Sequence, residues 1–135
     1  MTSTMNRDRS LEELERDYWP DPPDDATRLI LTVHALRHRP IGTLAVEDLR
    51  LLIGQNVGLP HLLPLALEIL RESPLAEGDM YEGDLLSAVV TRNPATWSRF
   101  PDLERKLRAI LLELADLPSS LREKVEQFLG STARS

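Results

Sequence analysis

Apolar residues recur at spacings of three and four along most of the chain, which is the pattern of helices that bury one face. The first clear stripe lies between residues 25 and 37. Further stripes cover residues 46–53, 85–90, 103–114 and 121–128. Gly130 is expected to lie past the end of the last helix. Few segments alternate as a half-buried strand does. The pattern therefore predicts an all-α fold, a single compact bundle of about six or seven short helices.

One segment, residues 62–70, is apolar nearly all round and is interrupted only by Glu68. A helix of this kind is best placed in the middle of the fold, where every face meets other side chains. Pro60 and Pro64 fit its first turn, because the N–H that proline lacks has no partner there. We therefore expect this helix at the centre of the bundle.

The length of 135 residues suits one domain. Its first helix is expected to begin after Ser10, because Glu13 three residues later completes a capping box. We expect one helical domain over residues 1–135, with residues 1–9 and 131–135 frayed at its ends.

The composition excludes several classes of protein. There are no cysteines, which excludes disulfides, thiolate catalysis and zinc–thiolate sites. No apolar run approaches the roughly 18 residues that cross a bilayer. The first ten residues are polar and lack the apolar segment of a secretory signal. We therefore expect a cytoplasmic protein with no membrane partner.

The net charge of −6 bears on the choice of partner. Nucleic-acid binding draws most of its affinity from Lys and Arg meeting phosphates, so an acidic chain predicts no nucleic-acid partner. A basic protein partner fits the charge, since complementary fields raise association rates. Taken alone, the charge is better explained by solubility.

No group of side chains predicts catalysis. His34 and His38 have the spacing of a helical metal pair, but the Glu that a zinc protease places beside its first histidine is missing. Arg37 beside His38 also opposes a bound cation. The chain has no Gly-rich phosphate loop and no Gly-x-Ser-x-Gly turn. We expect no enzymatic activity, no metal and no cofactor. Trp19 and Trp97 are interpreted as lids on the core.

Residues 77–84, called the acidic loop below, are unusual in a helical protein. The triplet Glu-Gly-Asp occurs there twice, five positions apart, so that four acids fall within eight residues. No Lys or Arg lies between Arg71 and Arg92 to offset them along the chain. Like charges at this spacing repel, and the loop therefore needs an explanation.

Three explanations of the acidic loop remain open from the residues alone. A cation site is one, although the spacing does not match a calcium loop. A protein-docking loop is the second, in which Met80 and Tyr81 supply contact area and the acids meet basic side chains. In the third, Asp79 or Asp84 caps the following helix and the other acids are solvated.

Three consecutive stretches of sequence carry a resemblance to a known family. They are VEDLRLLIGQ at residues 46–55, GLPHLLPLALE at 58–68 and PLAEGDMYEGDLL at 74–86. In this order and spacing they resemble the immunity proteins of contact-dependent growth inhibition (CDI) systems. The opening stretch from Ser10 to Trp19 is similar as well, so the resemblance runs from about residue 10 to residue 90.

The resemblance implies a small, helical, cytoplasmic bacterial protein. Members of the family bind and neutralise the toxic C-terminal domain of a cognate effector that neighbouring bacteria deliver. The expected partner is therefore a cognate toxin domain, for which a basic nuclease is one candidate, and the free protein is expected to be a monomer. The alternative is a small acidic helical adaptor or regulatory domain that binds protein but has no toxin partner.

The expected toxin-binding surface combines the acidic loop with nearby turns. It comprises Glu77, Asp79, Tyr81, Glu82 and Asp84, together with Gln55, Asn56 and His61.

Overall fold

The computed structural model describes the backbone of residues 7–132 and the side chains of residues 7–130. Within that range the chain forms eight α-helices and no strand, which confirms the all-α prediction. The count is slightly above the six or seven that were predicted. The helices are α1 (Leu11–Glu15), α2 (Arg28–Leu36), α3 (Val46–Gly54), α4 (Leu59–Glu72), α5 (Asp84–Val90), α6 (Pro94–Arg99), α7 (Pro101–Leu112) and α8 (Ser119–Thr132).

The start of α1 follows the sequence closely. The Ser10 hydroxyl accepts the Glu13 N–H at 3.2 Å, and the Glu13 carboxylate accepts the Ser10 N–H at 2.9 Å. This confirms the capping box, which lowers the pKa of Glu13 chiefly through the Ser10 backbone hydrogen bond. Of the ends that were predicted to be frayed, residues 1–6 and 133–135 lie outside the described range.

Residues 7–9 run beside the turn that follows α2. The carbonyls of Arg7 and Arg9 accept the N–H groups of Gly42 and Ile41 at 3.0 and 2.9 Å. An isolated β-bridge between Ser10 and Pro40 continues this pairing. The N-terminal part of the described chain is thus tied to the connection between α2 and α3.

Two expectations about helix ends are wrong. Pro64 is the sixth residue of α4 and not part of its first turn, so the carbonyl one turn earlier lacks the N–H it would normally receive. Gly130 lies inside α8, which continues to Thr132. Both residues are tolerated because a helix packed on neighbours gains more from burial than it loses through one poor helix former.

Apolar side chains from all eight helices form one continuous core. Helix α4 contacts α3, α5 and α7, which agrees with its expected central position. However, Glu68 on α4 is exposed, and the most completely buried helix is α5, whose only half-buried residue is Ala88. Trp97 is buried and packs edge-on against Phe128 with ring centroids 5.5 Å apart, as a lid on the core would.

Helices α3 and α5 pack side by side and run in the same direction. At their N-terminal ends, the Arg50 guanidinium of α3 lies 3.8 Å from the Asp84 carboxylate of α5. At their C-terminal ends, Arg92 just after α5 donates to the Gly54 carbonyl at 3.2 Å. The acidic loop, which precedes α5, therefore lies at the N-terminal end of this helix pair.

Candidate functional site

Asp84 is the residue around which the acidic loop folds. Its side chain is buried, and its two carboxylate oxygens accept backbone N–H groups from the loop itself. Gly78 donates to Oδ1 at 2.7 Å, and Met80 and Tyr81 donate to Oδ2 at 3.0 and 3.3 Å. Asp84, the first residue of α5, thus fixes the conformation of the loop that precedes this helix. Its oxygens are turned inward, away from solvent.

A base from a distant part of the sequence lies beneath the loop and faces its buried carboxylate. Arg50 makes a two-pronged ion pair with Glu47, at 2.7 and 2.5 Å, and also faces Asp84. The Glu47 carboxylate in turn accepts the Asp79 N–H at 2.9 Å. The loop therefore lies on a Glu47–Arg50 pair supplied by α3, and the acid of the loop that Arg50 faces is the buried one, Asp84.

The same pair shifts two pKa values. The hydrogen bond from Arg50 is the main reason that the pKa of Glu47 lies below its ordinary value, and burial opposes it only in part. The bond from Glu47 likewise raises the pKa of Arg50. Both side chains are therefore held in their charged forms beneath the loop at neutral pH.

The two glycines of the repeated triplet are required by packing. A Cβ on Gly78 would lie 2.6 Å from a Glu47 carboxylate oxygen and 3.1 Å from the Glu47 Cα. Gly83 has a left-handed backbone with φ +83°, and a Cβ there would collide with Leu121 of α8. Each triplet thus provides a glycine where the chain passes closely over another helix.

Tyr81 joins the loop to α5 and α8. Its hydroxyl donates to the Ser87 hydroxyl at 3.1 Å, and Lys124 donates to Ser87 at 2.9 Å. The Lys124 ammonium lies 5.8 Å from the centre of the tyrosine ring. The hydrogen bond with Ser87, followed by that with Lys124, lowers the pKa of Tyr81. The aromatic side chain is consequently held in place although 42% of it is exposed.

The outward side of the loop is acidic and partly apolar. Glu77, Asp79 and Glu82 are exposed, and Met80 between them is 64% exposed. Within residues 7–130 the structure places no Lys, Arg or His in an ion pair with any of these three carboxylates. The loop thus presents free negative charge beside two large side chains, Met80 and Tyr81, on a backbone that buried contacts hold in shape.

Gln55, Asn56 and His61 lie at the other end of α3. Gln55 and Asn56 follow its last turn, and His61 stands in the first turn of α4. Asn56 adopts a left-handed backbone with φ 60° and accepts a hydrogen bond from Arg92 at 2.9 Å. At about 1.5 Å per residue, the length of α3 places this turn roughly 12 Å from the acidic loop. The structure therefore does not bring the two groups of predicted residues into contact.

A comparison with models of known families matches residues 13–107, and the family is described as CDI immunity proteins. The match covers most of the chain, from α1 into α7, and includes the whole acidic loop. The chain belongs to this family. A search of individual curated proteins gave no match to this immunity protein.

The matched region and the site overlap almost completely. The Glu47–Arg50 pair, both glycines and Asp84 all fall within residues 13–107. Helix α8 lies beyond the match, although Lys124 and Leu121 on that helix contact the loop. Helix α8 of this chain therefore completes the support of the loop from outside the matched segment.

The histidine pair considered as a metal site is engaged otherwise. The rings of His34 and His38 lie 4.8 Å apart, with His38 Nδ1 2.8 Å from the His34 carbonyl and Nε2 3.1 Å from the Glu12 carboxylate. Among residues 7–132, no three His, Asp or Glu side chains are grouped in a way that could hold a metal ion. Over the same residues, no helix has both the length and the hydropathy needed to span a bilayer.

Proposed function

We propose that this immunity protein neutralises the toxic C-terminal domain of a cognate CDI effector by stoichiometric binding through the acidic loop. The observation that carries the proposal is the loop itself, in which exposed carboxylates without ion-pair partners lie on a backbone fixed by Asp84 and by the Glu47–Arg50 pair. Membership of the family supports a toxin as the partner. No catalytic step is needed, since occupying the toxin is sufficient.

Glu77, Asp79 and Glu82 are the residues that meet the toxin in this proposal. A nuclease toxin has a basic groove for its substrate, and carboxylates held at fixed positions take the places of phosphates there. A loop that is already ordered loses little conformational entropy on binding, which strengthens the complex. Asp84 contributes by holding the loop, because its buried oxygens are used by backbone N–H groups.

The turn after α3 forms a second part of the proposed surface. A standard interface buries roughly 800 Å² on each partner, which readily spans the roughly 12 Å between this turn and the loop. Gln55, Asn56 and His61 are then contacts at the edge of the same interface. The protein is expected to act in the cytoplasm and to be monomeric before it meets the toxin.

Charge reversal tests the proposal. Glu77, Asp79 and Glu82 are replaced together by Lys, and Asp116, Glu123 and Glu126, which are exposed elsewhere, are replaced together as a control with the same change in net charge. Binding to the C-terminal domain of the effector encoded beside this protein is measured at low and high salt. Protection is measured by producing toxin and immunity protein in the same cells.

The loop variant is expected to associate at least about tenfold more slowly at low salt, to lose most of its salt dependence and to protect poorly. The control variant should keep its protection. Equal behaviour of the two variants would show that the toxin docks elsewhere. A wild-type protein that binds no effector domain would overturn the proposed function and favour the adaptor alternative.

A further inference from the structure

A second exposed surface lies on the segment between α1 and α2 and on the first turns of α2. Tyr18 and Trp19 are 65% and 40% exposed, so Trp19 is not the core lid that was expected. Ile30 and Leu31 of α2 are 49% and 48% exposed, although Ile30 was expected on the buried stripe. These four side chains, together with Asp21, Asp24 and Asp25, are called the connector face below.

Trp19 is held in place from beneath by a buried cation. Arg37 is 1% exposed, and its guanidinium lies 4.0 Å from the centre of the Trp19 ring. Arg37 also donates to the Glu15 carboxylate at 2.8 Å and to the Asp17 carbonyl at 2.9 Å. The Asp17 carboxylate accepts the Trp19 indole N–H at 3.2 Å. The ring is therefore fixed before any partner arrives, which lowers the entropic cost of using it in an interface.

Burying Arg37 beneath Trp19 is a costly way to stabilise the folded state. A buried arginine must be desolvated, and an apolar residue of similar size in its place often stabilises a protein equally well or better. Two nitrogens of Arg37, Nε and Nη1, are buried without a hydrogen-bond partner within residues 7–130. Besides tying the end of α1 to α2, the arrangement presents a large aromatic side chain at the surface.

The connector runs along α2 in the opposite direction. Trp19 lies at Arg37 just after the end of α2, and His34 Nε2, one turn earlier, is 3.2 Å from the Pro20 carbonyl. Ile30 and Leu31 precede His34 by four and three residues and so lie on the same side of the helix. The exposed aromatic and aliphatic side chains therefore belong to one side of the molecule.

The charge around this face indicates the kind of partner it fits. Asp21, Asp24 and Asp25 are exposed, and within residues 7–130 none of them has a Lys, Arg or His partner in an ion pair. An apolar centre of aromatic and aliphatic side chains with an acidic edge matches an apolar depression edged by Lys and Arg. A second copy of this chain fits less well, because the three acids of each copy would meet a face whose one exposed base between residues 18 and 31 is Arg28.

A chain of contacts through α3 links the Trp19 end of the connector face to the acidic loop. Arg39, two residues after Arg37, pairs with Asp48 at 3.6 Å. Asp48 is adjacent in α3 to Glu47, which accepts a hydrogen bond from the loop. This path joins Arg37, on which Trp19 lies, to the backbone of the acidic loop.

We propose that the connector face is the main apolar contact of the toxin complex, with Trp19, Ile30 and Leu31 entering an apolar depression of the toxin domain that is edged by basic residues. This inference rests on the proposed function and assigns a different kinetic role to each of the two surfaces. The acidic loop sets the rate of association through charge, and the connector face sets the rate of dissociation through buried apolar area.

The test measures both rates for two variants and a control. Trp19→Ala removes the aromatic side chain, and Ile30→Ser with Leu31→Ser removes the aliphatic part without touching Arg37. Leu112→Ser is the control, because Leu112 is 71% exposed on α7. Far-UV circular dichroism and the urea midpoint verify that each variant is folded, and size-exclusion chromatography with light scattering gives the mass of the free proteins.

Both connector variants are expected to dissociate from the effector's C-terminal domain at least about tenfold faster than wild type, with association rates changed less than about twofold. The control should match wild type. Wild-type dissociation by the Ile30–Leu31 variant would overturn this inference while leaving the proposed function intact. If the variants instead convert a dimer of the free protein into a monomer and bind toxin normally, the face joins two copies of the chain. If the wild-type protein binds no effector domain, both proposals fail together.

Discussion

Replacing Asp84 with alanine is the most direct test of how the acidic loop is held. The change removes a buried carboxylate that accepts three backbone N–H groups of the loop, at 2.7, 3.0 and 3.3 Å. It also removes a negative charge that faces Arg50 at 3.8 Å. The three N–H groups of the loop then lose their acceptor. The first residue of α5 no longer has a side chain that binds the loop.

The expected cost follows from these contacts. A hydrogen bond to a charged group contributes about 1.5–3 kcal/mol, and the half-buried Gly78 N–H loses its partner most completely. The N–H groups of the exposed Met80 and Tyr81 recover part of the loss by binding water. Arg50 remains paired with Glu47, so it keeps an ion-pair partner when the Asp84 carboxylate is removed. The loss of this second contact therefore adds little to the loss of stability. Asp84→Ala should therefore destabilise the protein by about 3–5 kcal/mol.

Urea unfolding followed by far-UV circular dichroism measures the loss, and native-state hydrogen exchange locates it at the amides of Gly78, Met80 and Tyr81. Asp84→Asn should cost less, about 1–3 kcal/mol, since one oxygen can still accept. Glu82→Ala is the matched control, because this acid is exposed, and its cost should stay within about 0.5 kcal/mol. A loss below about 1 kcal/mol for Asp84→Ala, with unchanged amide exchange, would refute the inference that Asp84 organises the loop.

Two further predictions concern the core and the ion pair beneath the loop. Leu107→Ala should lower the free energy of unfolding by about 2–5 kcal/mol, whereas Leu112→Ala should change it by less than about 0.5 kcal/mol, because Leu107 is fully buried and Leu112 is 71% exposed. Equal losses in urea unfolding would contradict the orientation of α7. Glu47→Gln should lower stability at pH 7 and flatten its pH dependence. Arg50 lowers the pKa of Glu47 below the ordinary 4.5, so the stability contributed by ionised Glu47 is present above pH 4.5 and is lost as the pH falls through the lower folded-state pKa. Urea midpoints of wild type and variant should converge as the pH falls below 4.5, and a constant difference would contradict this role for Glu47.

The helices could be predicted because their signals are local. Apolar spacing within ten residues identifies a buried face, and the capping box at Ser10 uses two side chains three positions apart. Pro64 and Gly130 were assigned wrongly for the opposite reason. Their places inside α4 and α8 depend on packing against neighbouring helices, which overrides the local preference of a single residue.

The position of the candidate site could be predicted from the sequence, but the contacts that hold the loop in shape could not. The sequence shows where the acids cluster, and the resemblance to the family indicated that the cluster matters. Asp84 turns inward to accept three backbone N–H groups of the loop, and Arg50, which lies 34 positions earlier, faces it from α3. No local pattern records the contact with α3. Trp19 was placed in the core because large aromatics are usually buried there. Its exposure depends on Arg37, a charged residue that occupies the buried position instead.

The inward and outward side chains of the acidic loop belong to different residues, and this separation bears on how such proteins diverge. Glu77, Asp79 and Glu82 can be exchanged without disturbing the groups that shape the backbone, which are Asp84, the two glycines and the Glu47–Arg50 pair. In the proposed binding mode, a toxin that alters its surface is therefore followed by single substitutions on a loop of constant shape. Relatives that protect against different toxins are expected to share the inward set and to differ in the outward one.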